Sequence, residues 1–307
     1  MRQRGVALIT AVVLVAIATV LAARVGTDAA LDLRRTSGIG ALNQAWNVAL
    51  GAEAWAAQIL RDDLRDTELD DLTDTWAQPV PPLPIDGGTI EGDVEDMQGR
   101  FNLNNLLTAD GGVDDASVQR LARLFQLAGV DPRWAGMLAD WLDADSVDRF
   151  PDGAEDGVYL GQVPPYRTAN GPINTTTELL ALPGFSLEDY RRIAPHVAAL
   201  PAGTPVNLCT ATPLVLAALA EAGTDFGDAE ALSRNRESGC FPRIADLQAT
   251  LDAEQFQALQ GRISETTNWF RVVSVVSIGT SQLTLYSLLE RNSAGGVRAV
   301  VRSVGTE

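Results

Sequence analysis

Residues 6–23 contain no charged side chain and lie between Arg4 and Arg24. A hydrocarbon layer about 30 Å thick needs roughly 17–25 helical residues to cross it, so this run is just long enough to span a bilayer. No other stretch constrains the chain as strongly, because whatever follows Arg24 must fold beside a membrane. Three readings fit the segment. A secretory signal peptide would be removed after Ala22-Ala23, although its apolar core normally runs 7–15 residues. A plain single-pass anchor would keep Arg2 and Arg4 on the cytoplasmic side. A cut between Gly5 and Val6 would remove only the basic pentapeptide and leave Val6 as the N-terminus of a chain that retains its anchor.

Beyond the membrane the helical pattern continues. Leu42, Ala45, Trp46, Ala49, Leu50, Ala56, Ile59, Leu60 and Leu64 recur at helical spacing. A helix from Val6 to about Arg65 would be roughly 90 Å long at 1.5 Å per residue. It must therefore stand out of the bilayer and pack along one stripe. Gly38 and Gly40 are expected to bend it. The proline-rich stretch 78–84 ends the helical region, and a short strand is expected over 88–95. A helical block is expected over 103–263. Strands return at Trp269–Ile278, 282–291 and Val297–Val304, where β-branched residues alternate with others. Strands this far apart join one sheet if the block between them is an insertion. The pattern therefore predicts two cores, an α+β core built by the termini and a helical one in the middle.

The formal net charge is -17, and losing Arg2 and Arg4 would make the remainder more acidic still. Such a chain repels nucleic acid phosphates and anionic lipid surfaces. The two cysteines, Cys209 and Cys240, are free to oxidise if the body lies outside the cytoplasm. A bridge would close a loop of about thirty residues and contribute about 3 kcal/mol. Two unrelated buried thiols are the alternative. There is no CxxC.

Asp140, Asp143, Asp145, Asp148, Asp152, Glu155 and Asp156 fall within seventeen residues. Carboxylates this dense repel one another unless a cation sits among them, and hard oxygen ligands on a flexible loop suit Ca²⁺. The Asp143-x-Asp145 start is that of an EF-hand, but Asp148 is off its spacing and position twelve is not Glu. A solvated acidic loop is the other reading. His196 is the single histidine and lies in an apolar helical setting that suits a structural role. No GxSxG, HExxH, Walker or GxGxxG motif is present. A pair of carboxylates for glycoside hydrolysis stays open on sequence alone.

Several segments, in order along nearly the whole chain, resemble the GspK family of minor pseudopilins, the general secretion protein K of bacterial type II secretion systems. Arg4-Gly5-Val6-Ala7-Leu8-Ile9 looks like that family's prepilin peptidase site. Gln98-Gly99-Arg100-Phe101-Asn102-Leu103-Asn104-Asn105-Leu106 looks like its entrance to a helical insert. Residues 139–145, 153–156 and 164–167 look like its acidic loop, and 206–216 like its second helical repeat. The resemblance implies a pseudopilin fold: a long N-terminal helix packed on a small antiparallel sheet, with a large all-α domain inserted before the C-terminal strands. It divides the chain into a leader (1–5), a transmembrane helix (6–26), a periplasmic stem with the first strand (27–103), the insert (104–263) and the C-terminal strands (264–307).

The same resemblance implies a single-pass protein of the inner membrane with its body in the periplasm and no chemistry of its own. Its partners would be GspI- and GspJ-like minor pseudopilins at the tip of a major pseudopilin filament, after processing by prepilin peptidase. No nucleic acid is expected. Thr10 would be the fifth mature residue, where major pilins carry Glu and GspK-like members do not. A carboxylate in a bilayer is costly unless paired, so a subunit with nothing docked above it has less use for one. Family members are associated with calcium in the insert, which points to Asp143, Asp145, Asp148, Glu155 and Asp156 as Ca²⁺ ligands. Two alternatives remain. Leu182-Pro183-Gly184-Phe185-Ser186 and residues 206–212 resemble helix-hairpin-helix modules of DNA-binding proteins, although the negative charge opposes that use. A calcium-binding secreted enzyme with unrecognised carboxylate chemistry is the other.

Overall fold

The computed structural model describes residues 3–219 and 228–306. Met1 and Arg2 of the expected leader lie outside these. Helix α1 (Gln3–Asp66) is one continuous element of 64 residues. It runs through Gly38 and Gly40 unbroken, so neither glycine interrupts it. Each glycine disfavours helix by only about 1 kcal/mol, and a helix already nucleated on both sides propagates across such a cost. From Val6 to Gln44 no side chain is buried; the first is Ala45. After it, Ala49, Glu53, Ala56, Ala57, Leu60 and Asp63 form a buried stripe. Alanines at four of these seven positions let the helix lie close to the sheet.

The sheet has five strands in the order β1-β2-β7-β8-β9, each antiparallel to its neighbours. They are β1 (Leu83–Ile85), β2 (Gly88–Asp96), β7 (Trp269–Ile278), β8 (Ser281–Arg291) and β9 (Val297–Val304). β7 alternates strictly between buried and half-buried positions, so one face meets α1. Residues 88–96 pair with 270–278 in unbroken register, which puts the strand before the insert beside the first strand after it. β1 was not expected. It occupies the proline-rich stretch, where Pro84 sits on an edge strand that tolerates the lost N–H. Gly87, at φ 81°, turns it into β2.

The α1–sheet core is ordered along the helix. Ala45 and Ala49 pack with Val276, Ile278, Leu283 and Leu285. Further from the apolar segment, Ala56, Ala57 and Leu60 pack with Trp76, Phe270, Val272 and Leu289. The β7–β8 turn therefore lies toward the apolar N-terminal part of α1. Asp96 and Trp269, where the chain leaves for the insert and returns, lie at the far end.

The insert has its own core, running from Phe101 to Ile263. Its helices are α2 (Asp115–Leu127), α3 (Trp134–Leu142), α4 (Asp156–Tyr159), α5 (Leu187–Ile193), α6 (Pro213–Leu219), α7 (Ala229–Arg236), α8 (Ile244–Thr250) and α9 (Ala253–Leu259). The block is not wholly helical as expected. Two parallel strand pairs cross it: β3 (Phe101–Asn102) with β4 (Val197–Ala198), and β5 (Val206–Asn207) with β6 (Ile263–Ser264). Two-residue strands are too short to show an alternation in sequence, and each finds its partner more than fifty positions away. Cys209 and Cys240 are joined in a disulfide, 31 positions apart, tying the segment before α6 to the loop after α7.

Candidate metal centre

Helix α3 ends at Leu142 and buries Asp140, and Asp143 caps it in an extended conformation. Two carboxylates in the last turn oppose the helix dipole, and Glu155 is buried against them. The side chains of Asp140, Asp143 and Glu155 are nearly inaccessible to water. Asp140 Oδ1, Asp143 Oδ1 and Glu155 Oε1 are all buried with no hydrogen-bond partner. Oxygens of Asp143, Asp145 and Glu155 lie within 4.8 Å of one another. Burial, then the Asp143 charge, pushes Asp140 up to about 6. Burial, then Asp140 and Asp143, pushes Glu155 up to about 7. Burial and Asp145 also raise Asp143. Buried, unpaired, mutually repelling carboxylates are what a divalent cation compensates.

Of the five residues expected as ligands, the structure gathers Asp143, Asp145 and Glu155. Asp148 is exposed and stands outside this group. Asp156 heads α4, accepts from Thr168 N at 3.2 Å and Thr168 Oγ1 at 3.1 Å, and faces Arg167 at 3.6 Å. Asp140 lies beside them instead, in the last turn of α3 and three residues before Asp143. That i, i+3 spacing was visible in the sequence. Asp140 Oδ2 accepts from Arg149 N at 3.0 Å, which folds the loop back over the helix end. Gly153 is required there, since any Cβ would collide with the Asp140 carboxylate and the Arg149 backbone.

A second acidic group, Asp63, Asp70 and Asp74, lies at the far end of α1. Here the countercharge is internal. Arg291 is buried, donates to Asp63 Oδ2 at 3.0 Å and to Asp70 Oδ1, and stacks 4.9 Å over Phe270. Sequence reasoning missed this group because the cation that balances it, Arg291, stands 228 positions beyond Asp63.

The remaining residues singled out have local roles. Thr10 Oγ1 donates to the carbonyls of Val6 (3.1 Å) and Ala7 (3.0 Å), so its hydroxyl is satisfied within the helix. The Gly5–Val6 bond lies inside α1. His196 Nδ1 is 2.8 Å from Thr212 Oγ1, and burial, then Arg100, lowers its pKa. At the first helix-hairpin-helix candidate, Gly184 turns the chain into α5 at φ 92°. However, Glu188 and Asp189 occupy the first turn of α5, and the Ser186 side chain already accepts from Asp189 N. Carboxylates thus stand where a phosphate would sit. The second candidate leads into α6, whose first residue is Pro213 and offers no N–H.

Among the described residues one helix is long and apolar enough to cross a membrane, and its apolar window is wholly unburied. Its outer half is the spine of an antiparallel sheet. Together these define a membrane-anchored, pilin-like subunit. The model of a family described as type II secretion system protein K matches residues 99–202. Type II secretion system protein K of Pseudomonas aeruginosa is 37% identical over 99% of this chain and 93% of its own length. That of Pectobacterium carotovorum is 32% identical over 99% and 97%. A chain in the crystal structure of the GspK-GspI-GspJ complex from enterotoxigenic Escherichia coli superposes with a TM-score of 0.78 at 25% identity, covering 89% of this chain and 100% of that one. The chain belongs to the type II secretion system protein K family. It is a minor pseudopilin, a structural subunit and not an enzyme. Neither the DNA-binding nor the secreted-enzyme alternative finds support in these relatives.

Proposed function

We propose that this subunit caps the tip of the type II secretion pseudopilus, in complex with GspI- and GspJ-like minor pseudopilins above a filament of major pseudopilin, for protein export across the outer membrane. The observation that carries the reading is the position of the insert. It leaves and rejoins the sheet at the end of α1 farthest from the apolar segment, so its bulk stands where a further subunit would add. The relative solved with GspI and GspJ supports the choice of partners. In this reading prepilin peptidase cuts between Gly5 and Val6, the apolar helix anchors the subunit in the inner membrane before assembly, and the body lies in the periplasm. Thr10, satisfied by its own helix, makes no demand on a neighbour's N-terminus.

Ca²⁺ is the cation assigned to the acidic loop, held by Asp143, Asp145 and Glu155 with Asp140 beside them. Asp156 is a further carboxylate of the loop available to a shell of six to eight oxygens, whereas Asp148, exposed and outside the gathered group, is left out of it. The cation would supply the positive charge that the end of α3 lacks.

The test is N-terminal sequencing of the mature protein combined with co-purification. A start at Val6 and a stable complex with GspI- and GspJ-like subunits are expected. A start near Arg24, or a chain that elongates within the filament, overturns the reading.

A further inference from the structure

The acidic loop presents a second feature on its outer side. Phe150 is 99% exposed and Val147 is 71% exposed. A phenylalanine with essentially no contact inside its own chain is unusual, since aromatic rings carry the largest apolar surfaces in a fold. The loop around it is firmly held. Val147 N donates to Asp145 Oδ1 at 2.8 Å, Arg149 N to Asp140 Oδ2 at 3.0 Å, and Gly153 N to Arg149 O at 2.6 Å. The Arg149 guanidinium turns away to pair with Asp115 of α2. The ring is thus displayed on a pinned backbone, which lowers the ordering cost of binding.

The charges beside it indicate the partner. Asp148 and Asp152 flank Phe150, both are exposed, and neither has a hydrogen bond or ion pair among the described residues. Arg149, next to Asp148 in the chain, is already engaged with Asp115. An anionic bilayer would repel this pair, as would the net charge of -17. We propose that residues 147–152 form a docking element for a protein whose surface offers an apolar pocket for the Phe150 ring, rimmed by Lys or Arg that meet Asp148 and Asp152. A buried aromatic anchor ringed by complementary charge is the usual composition of an interface hot spot. The inference does not rest on the tip assignment, because a subunit that failed to join GspI- and GspJ-like partners would still present Phe150.

The test places a benzophenone-bearing phenylalanine analogue at position 150 of the full-length chain in a secreting cell. Irradiation is expected to give one discrete protein adduct, with the linked peptide, read by mass spectrometry, close to a Lys or Arg. Combining Asp148→Lys with Asp152→Lys lowers the adduct yield about tenfold, while Asp148→Asn with Asp152→Asn lowers it less. Reversing the partner's basic residue to Glu restores yield to the Lys variant. Unchanged accumulation and unchanged co-purification with GspI- and GspJ-like subunits show that the variants fold. Adducts only to lipid or to a second copy of this chain, no adduct, or a yield indifferent to charge reversal each overturn the proposal.

Discussion

Asp96, the last residue of β2, accepts a hydrogen bond from Asn207 Nδ2 of β5 at 2.8 Å. The pair joins the sheet to the insert. The same carboxylate accepts from Thr210 Oγ1 at 2.5 Å, Thr267 Oγ1 at 2.6 Å and Gln98 N at 2.7 Å. Asn207 Nδ2 also donates to Asp70 O at 2.9 Å, which brings in the segment after α1. Gln98 extends the joint by accepting from Asn268 N at 2.7 Å. Both chain crossings between the two cores are therefore fixed by one buried acid and its neighbours. Burial raises the Asp96 pKa, and the four donors act against that rise.

Replacing Asp96 tests this joint. Asp96→Ala leaves four buried donors without an acceptor. Unmet buried groups cost about 1–3 kcal/mol each before relaxation, so a loss of about 3 kcal/mol or more is expected. Asp96→Asn keeps the size but turns one acceptor into a donor, facing either Asn207 Nδ2 and Thr210 Oγ1 or Thr267 Oγ1 and Gln98 N. Chemical denaturation of both variants reads the loss. If either variant matches the parent within about 0.5 kcal/mol, the joint does not hold the cores together.

Glu53 and Arg302 give a pH dependence of known sign. Arg302 Nε and Nη2 reach the two Glu53 oxygens at 2.7 and 2.8 Å, and Ser287 Oγ adds a third bond at 2.7 Å. Arg302, then Ser287, holds the Glu53 carboxyl below its ordinary value in spite of burial. A depressed folded pKa contributes stability above the unfolded pKa, about 4.3, and loses it as pH falls through the folded value. Arg302 is nearly half exposed, so solvent screening limits the pair to about 1 kcal/mol. Glu53→Gln is expected to lower stability by that amount at pH 7 and to converge on the parent only once the pH has fallen through the depressed folded value of Glu53. A gap that persists at low pH would assign the effect to packing.

The legible parts of this fold were those that repeat locally. The alternation from Trp269 to Ile278 and the helical stripe from Leu42 to Leu64 report their own faces, although Leu42 is exposed and the buried Glu53 and Asp63 were not read as part of that stripe. The joint was not legible: Asp96 meets residues 111 and 171 positions away, and nothing in the local pattern of either partner marks it. Arg291 reaches back 228 positions to Asp63 for the same reason. In the acidic loop the sequence showed the density of charge and could not show burial. Burial separates Asp140, Asp143 and Glu155 from Asp148, which faces water and lies outside the gathered oxygens.

The disulfide predicts where reduction acts. Cys209 is fully buried, and its Cα lies 4.5 Å from that of Cys240. Both belong to the insert. Opening the bridge restores chain entropy worth about 3 kcal/mol to the unfolded insert. Cys209→Ser with Cys240→Ser should therefore lower the denaturation midpoint and speed proteolysis within the insert, leaving α1 and the five-stranded sheet protected. Hydrogen exchange followed by mass spectrometry resolves the two cores. Equal loss of protection in both would show that they unfold as one unit.

The cation assignment predicts a crossover between stability and response. Without an ion, Asp143 and Glu155 bury like charges against Asp140. Asp143→Asn and Glu155→Gln each remove one of those charges, so each variant should be at least as stable as the parent in EDTA. With Ca²⁺ at a hundred times its dissociation constant, the parent should gain about 2.7 kcal/mol, and the variants should gain less at the same concentration. Asp148→Asn, which changes an exposed carboxylate outside the gathered group, should keep most of the gain. Thermal melts of the four proteins in EDTA and in Ca²⁺ read both effects. A parent that ignores Ca²⁺, or variants that respond as fully as the parent, would remove the cation from the loop.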